Sequence, residues 1–159
     1  MVQKRLLITG AAGFIGSNFA HYWHRHYPET KMVILDALTY AGNRANIAGL
    51  LDNSRVELVV GNICDRPLVN RLLQEYAIDT VVHFAAESHV DRSILGPDAF
   101  VQTNVIGTFT LLEAFRHYWN QQGNPQHYRF LHVSTDEVYG SLSSDDAAFS
   151  ETTPYAPNS

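Results

Sequence analysis

Three glycines, Gly10, Gly13 and Gly16, stand between a short aliphatic run, Arg5 to Thr9, and a helix-like stretch from Phe14 to His26. Each glycine has a physical task in that setting. One at a strand end permits a sharp turn, a second lets backbone approach a phosphate without an intervening Cβ, and a third allows helix and strand to pack closely. The free N–H groups at the start of the helix then face an anion, helped by the helix dipole. A glycine triplet alone is compatible with an ordinary turn. Strand before and helix after make Gly10, Gly13 and Gly16 a dinucleotide-binding turn.

The pattern continues along the chain. Met32 to Leu35, Val56 to Val60, Thr80 to Phe84 and Phe130 to Ser134 are brief, branched or aromatic, and bounded by turn residues, so with Arg5 to Thr9 they are the candidate strands. Apolar spacing predicts helices over Phe14 to His26, Pro67 to Tyr76 and Asp98 to Trp119, and a shorter one over Asn43 to Leu51. The alternation predicts an α/β fold, a doubly wound parallel sheet of the Rossmann type, with its ligand crevice at the carboxyl ends of the strands where the winding reverses. Gln121 to His127 and Ser141 to Ser159 read as loops. The second is rich in Ser, Asp, Thr and Pro and carries no capping signal, so residues 1–159 are expected to form one incomplete domain that stops within a connection.

Composition narrows the partners. A chain of 159 residues with 45% hydrophobic and 17% charged residues has the makeup of one globular domain. No apolar run approaches the roughly 20 residues of a membrane span. After Met1-Val2-Gln3-Lys4-Arg5 the apolar run is only Leu6 to Ile8, too short for an export signal, and the cytoplasm is the expected compartment. A net charge of −5 without a cluster of Lys or Arg argues against nucleic acid or an anionic membrane as partner. The single cysteine, Cys64, is expected to be a packed thiol. His21, His24 and His26 lack the convergent ligands that zinc needs, so no metal is expected, and Tyr22, Trp23 and Tyr27 read as helix packing.

The second strand ends at Asp36, 20 positions beyond Gly16, where a carboxylate accepts hydrogen bonds from the adenosine ribose. That choice favours NAD, because a 2′-phosphate would meet a like charge and Ala37, Leu38 and Thr39 supply no arginine. A strand-end cap is the plainer alternative for Asp36.

The blocks Thr9-Gly10-Ala11-Ala12-Gly13-Phe14-Ile15-Gly16-Ser17, Leu38-Thr39-Tyr40-Ala41-Gly42-Asn43, His83-Phe84-Ala85-Ala86-Glu87-Ser88-His89-Val90-Asp91-Arg92-Ser93, Asn104-Val105-Ile106-Gly107-Thr108 and Ser134-Thr135-Asp136-Glu137-Val138-Tyr139-Gly140 together resemble the extended short-chain dehydrogenases, and within them the nucleotide-sugar 4,6-dehydratases acting on dTDP-glucose. The resemblance implies that Phe14 and Ile15 lie against the pyrophosphate and that Asp36, Ala37, Leu38 and Thr39 hold the ribose. It puts Asn62 and Ile63 beside the adenine, and Phe84, Ala85, Ala86, Ser88 and Thr103 on the nicotinamide side. Ser88 also reaches toward a nucleotide-sugar substrate. Asn62 departs from the family's usual Asp, replacing a charged contact with a neutral acceptor.

Elimination of water beside a carbonyl needs an acid for the leaving hydroxyl and a base for the adjacent proton, which suits two neighbouring carboxyl groups. By the resemblance Asp136 is the acid at C6, Glu137 the base at C5 and Thr135 a hydrogen-bond donor at C4. An isolated Asp-Glu pair after a strand is more often a solvated turn, and the surrounding motif reverses that preference. His89 and Arg92 line the substrate cleft or open a surface helix. The family's catalytic Tyr-x-x-x-Lys is expected to follow Ser159, as is most of the sugar-nucleotide subdomain, and Tyr139 and Tyr155 have no lysine at the required spacing. The full-length parent is expected to be a homodimer, and the chain by itself to bind NAD without turnover. The alternatives are a fragment of another nucleotide-sugar dehydratase or epimerase, or a non-catalytic NAD-binding module.

Overall fold

The computed structural model describes residues 4–158; Met1, Val2 and Gln3, which begin the stretch read as carrying no export signal, and Ser159, the last residue of the expected loop, lie outside the described residues. The strands are β1 (Arg5–Thr9), β2 (Lys31–Asp36), β3 (Val56–Val60), β4 (Thr80–His83) and β5 (Arg129–His132). They form a parallel sheet in the order β3-β2-β1-β4-β5. The chain winds outward from β1 through β2 to β3, then returns to the other side of β1 for β4 and β5. This is the doubly wound Rossmann arrangement, and its switch point lies between β1 and β4.

The central strands are buried on both faces, which explains their unbroken apolar runs. Alternate residues feed two cores. Leu7, Val33, Leu35 and Val81 pack with Val69, Leu72, Leu111 and Phe115, whereas Leu6, Ile8, Met32, Ile34 and Val82 pack with Ala20, Ile47 and Leu50.

The first helix, α1 (Phe14–His26), has the expected bounds. Its Trp23 stacks on Phe19 and Tyr27 and donates to the Thr30 hydroxyl at 3.1 Å, a packing role. The short expected helix after β2 divides into a 3-10 turn, Arg44–Ile47, and α2 (Ala48–Leu51), because the Asn43 side chain caps Ala45 N–H. In α3 (Arg66–Glu75) the Asp65 carboxylate accepts from Leu68 N–H, and Pro67 occupies the first turn, where its missing donor does no harm. The sequence reading did not define α4 (Val90–Leu95), whose Ile94 and Leu95 side chains are exposed and so leave no amphipathic signature.

The long helix expected over Asp98 to Trp119 is interrupted. It runs as α5 (Asp98–Phe100), a π-helical segment (Val101–Gly107) and α6 (Thr108–Gln121). The cause is visible at the middle and at the end of the segment. A Cβ on Gly107 would lie 2.6 Å from Ile63 Cδ1, so the helix passes unusually near the loop after β3. Asn104 turns its amide away to the Glu87 backbone. Such widened turns occur where a helix serves a site beside it.

Two strand ends also differ from expectation. β4 stops at His83 and β5 covers Arg129–His132, although Phe84 N–H still reaches Thr9 O (3.0 Å) and Val133 N–H reaches His83 O (3.1 Å). The ladder frays there as the chains diverge into the crevice. Residues 141–158 contain no helix or strand, yet they are held: Ala156 N–H donates to Val138 O at 3.0 Å, Asn158 to Ser141 Oγ at 2.6 Å, and Tyr139 packs on Phe149 and Tyr155. Among the described residues no helix is long and apolar enough to cross a membrane.

Candidate functional site

The glycine turn leaves β1 at the switch point. Gly10 adopts φ 72°, and a Cβ there would lie 2.6 Å from Ala85 N and 2.8 Å from the Phe84 carbonyl carbon. Its N–H donates to Leu35 O (3.1 Å), while Gly13 N–H donates back to Gly10 O (3.2 Å). A side chain on Gly16 would strike the Gly10 carbonyl oxygen and approach Ala11 Cα at 2.9 Å. Gly13 precedes α1 without any side-chain cap, and the first turn holds no acidic residue, which leaves the helix start to an external anion. Phe14 and Ile15, 82% and 63% exposed at that same turn, form an apolar surface beside it.

Asp36 is buried at the end of β2. Its Oδ2 accepts from Ala12 N–H and its Oδ1 from Leu38 N–H, both at 2.8 Å. A Cβ on Gly42 would stand 2.7 Å from Oδ1, so the loop closes tightly over the carboxylate. The cap role and the ribose role are therefore compatible: each oxygen has one protein donor and retains acceptor capacity for a hydroxyl. Ala37 and Thr39 are exposed; Leu38 is half-buried at φ 49°. Asn62, also exposed, uses Oδ1 to accept Cys64 N–H at 2.9 Å, and Ile63 points its side chain into the core.

On the far side of the turn, Phe84 packs on Phe19, Ala85 lies against Gly10, and Ala86 and Ser88 are exposed. Asn104 holds this loop from the π-helical segment, accepting from Glu87 N–H and donating to Glu87 O, each at 2.8 Å; Thr103 is its half-buried neighbour. Beneath, His83 is fully enclosed and bridges Thr9 Oγ1 (2.6 Å) and Thr108 Oγ1 (3.0 Å), and Thr9 Oγ1 accepts Ala85 N–H at 3.4 Å. Burial, and secondarily the nearby His132 ring, lower its pKa to about 4, which keeps the ring neutral. Asn104 and His83 both lie in blocks that carry the resemblance, but spacing alone gave neither a role.

Thr135, Asp136 and Glu137 follow β5 and are all exposed. Thr135 caps the 3-10 turn Asp136–Tyr139, accepting Glu137 N–H at 3.3 Å. Because β4 and β5 are neighbours, Ser88 and Thr135 leave the same edge of the sheet on adjacent strands. The one Tyr-x-x-x-Lys spacing in the chain, Tyr27 to Lys31, falls elsewhere. It joins α1 to the start of β2 at the amino ends of the strands, and the Lys31 ammonium lies over Tyr76. A hollow of about 420 Å³ between α6 and β5, lined by Leu112, Trp119, Tyr128 and Phe130, is not part of the crevice.

A family model described as GDP-mannose 4,6 dehydratase matches residues 7–159. The chain belongs to this family. Its similarity extends to the dTDP-glucose 4,6-dehydratase of Xanthomonas campestris pv. campestris, 56% identical over 155 residues, which cover 96% of this chain and 43% of that protein. Among solved structures it resembles a dTDP-glucose 4,6-dehydratase from Bacillus anthracis in complex with NAD, with a TM-score of 0.83 and 43% identity over 98% of this chain and 45% of that one. It also resembles DesIV, a dTDP-glucose 4,6-dehydratase from Streptomyces venezuelae with NAD and TYD bound, with a TM-score of 0.82 and 47% identity over 97% of this chain and 46% of that one. The chain thus spans less than half the length of these family members.

Proposed function

We propose that the chain is the NAD-holding portion of a dTDP-glucose 4,6-dehydratase. The observation that carries this reading is the buried Asp36 carboxylate fastened to the glycine turn at the switch point, with Thr135, Asp136 and Glu137 two strands away at the same edge. The crevice fits the cofactor on its own geometry: uncapped N–H groups meet a pyrophosphate, Asp36 meets ribose hydroxyls, and an absent Cβ at Gly13 leaves room for close approach. Asn62 and the Ile63 backbone would flank the adenine, with Ala85, Ala86 and Thr103 toward the nicotinamide ribose. The chemistry supplied by a bound nicotinamide is storage of a hydride from C4 and its return to C6. Around it, Thr135 donates to the C4 oxygen, Glu137 removes the C5 proton and Asp136 protonates the departing C6 hydroxyl. The reading carries with it a nucleotide-sugar substrate, a cytoplasmic setting and a homodimeric parent.

Calorimetric titration with NAD and NADP tests the cofactor site. NAD is expected to bind at least tenfold more tightly, since a 2′-phosphate would be pressed against a buried carboxylate. Equal or tighter NADP binding would remove Asp36 from the ribose.

The chemical assignment is tested by joining the chain to the remaining portion of the Xanthomonas campestris relative. The 159-residue chain, whose only Tyr-x-x-x-Lys spacing lies at the wrong end of the sheet, is expected to form no 4-keto-6-deoxy sugar from dTDP-glucose; the joined protein is expected to form it. A positioned base typically contributes about 10²–10⁴-fold. In the joined protein Glu137→Gln should therefore let NADH absorbance accumulate while product formation slows by a factor in that range. Full product formation by Glu137→Gln would show that another group takes the C5 proton.

A further inference from the structure

Tyr40 and Arg92 approach each other from opposite walls of the crevice. Tyr40 belongs to the loop after β2 that closes on the glycine turn: Ala41 O lies 3.9 Å from where a Gly13 Cβ would stand, and Asn43 N–H donates to Ala12 O at 3.0 Å. Arg92 belongs to α4, reached from β4 through the Ala85 backbone that packs on Gly10. In the sheet β1 lies between β2 and β4, so a contact between these two segments crosses the carboxyl end of β1 and the turn that follows it. That contact exists. The Arg92 guanidinium carbon sits 3.9 Å from the centroid of the Tyr40 ring, well within cation–π range.

The surroundings suit a part that moves. α4 is six residues long, exposes Ile94 and Leu95, and borders a hollow of about 280 Å³ lined by Glu87, Arg92, Leu95, Gly96, Ala99 and Phe100. Few buried contacts hold it, which is the condition for opening locally without disturbing the sheet. Among the described residues Arg92 enters no salt bridge, so the Tyr40 ring is what its charge is set against.

We propose that Tyr40 and Arg92 form a clasp across the dinucleotide crevice that must open for cofactor to enter and to leave; the proposal rests on the reading of that crevice as a dinucleotide site. In this proposal the clasp closes in the free and in the cofactor-bound protein alike, so its strength adds to the barrier in both directions. Weakening it should speed association and dissociation together and leave the equilibrium constant nearly unchanged. A side chain that simply touches the ligand would alter dissociation alone.

Stopped-flow measurement of NADH fluorescence tests this with the unaltered chain, Tyr40→Leu, Arg92→Met, the double variant and Tyr40→Phe. Both rate constants are expected to rise roughly two- to fivefold in each single variant, the range of an exposed cation–π pair. The double variant should rise no further, and Tyr40→Phe, which keeps a ring face, should match the unaltered chain. Three results would overturn the clasp: unchanged rates in Tyr40→Leu and Arg92→Met, a rise in dissociation with association fixed, or additive effects in the double variant. Failure of the unaltered chain to bind NADH would overturn the dinucleotide reading and the clasp with it, whereas binding with unaffected variant rates would sink the clasp alone.

Discussion

Gly10→Ala is expected to destabilise the chain by roughly 2–5 kcal/mol, the sum of about 1–2 for an L residue held in the left-handed region and about 1–3 for overpacking. Both terms follow from the turn. Gly10 has φ 72°, and the atoms that a new Cβ would meet, Ala85 N at 2.6 Å and the Phe84 carbonyl carbon at 2.8 Å, are backbone and cannot swing aside. For a domain whose whole stability is about 5–15 kcal/mol, this is a large fraction. Gly13→Ala is the control, because Gly13 has φ −77° and its added Cβ would come no nearer than 3.3 Å, to Gly10 O. It should unfold in urea close to the unaltered chain yet bind NADH weakly, since the methyl group stands where phosphate must approach. Gly10→Ala with an unchanged urea midpoint would contradict the close approach of the turn to the loop after β4.

Acid should destabilise the fold through His83 well before most carboxylates titrate. The folded pKa is lowered from 6.5 to about 4, chiefly by burial and then by His132. Above pH 6.5 the ring is neutral whether the chain is folded or not, and it contributes no pH dependence. As pH falls from 6.5 toward 4 the unfolded chain takes up a proton that the folded chain excludes, so stability declines, and below 4 this contribution levels off. The full difference corresponds to about 3 kcal/mol, at about 1.36 kcal/mol per pKa unit. Other groups also titrate in this window, so the measurement is a comparison: urea unfolding at pH 8 and at pH 4.5 for the unaltered chain and for His83→Gln. The unaltered chain is expected to lose about 2–3 kcal/mol more than the variant. Equal losses would mean that His83 is already able to accept a proton in the folded chain.

Both residues stand in segments that the sequence marks plainly, but their legibility differs. Gly10 was readable because a turn imposes its demand locally, through a residue type and its neighbours. The same holds for Asp36 at a strand end and for the helix from Phe14 to His26, whose bounds are reproduced. The sheet order was readable in kind, since alternation of strand and helix leaves few windings. His83 was different. A histidine in an apolar strand carries no sign of the two threonines that will meet it from β1 and α6. The partners of Asn104 and Arg92 are likewise remote in sequence, Glu87 by 17 positions in the first case and Tyr40 in the second. α4 was foreseen only as an alternative, a surface helix at His89 and Arg92 without bounds, because Ile94 and Leu95 face outward and give no periodicity by which a helix announces itself. The carboxyl-terminal segment read as loop, and so it is in secondary structure, but the aromatic contacts of Tyr139 with Phe149 and Tyr155 give it an order that composition does not reveal.

The π-helical segment Val101–Gly107 also bears on how this part of the chain can change in length. A helix wound with i→i+5 bonds accommodates an additional residue while the α-helical turns on either side keep their facing. Losing one residue within α6 would rotate everything beyond it by about 100°, carrying Leu111, Ala114, Phe115 and Tyr118 off the core they fill. Losing one residue within Val101–Gly107 would let the widened turns relax to ordinary α geometry and leave those four side chains in place. Single-residue gaps between relatives should therefore collect in this stretch and be scarce in the helix that follows it.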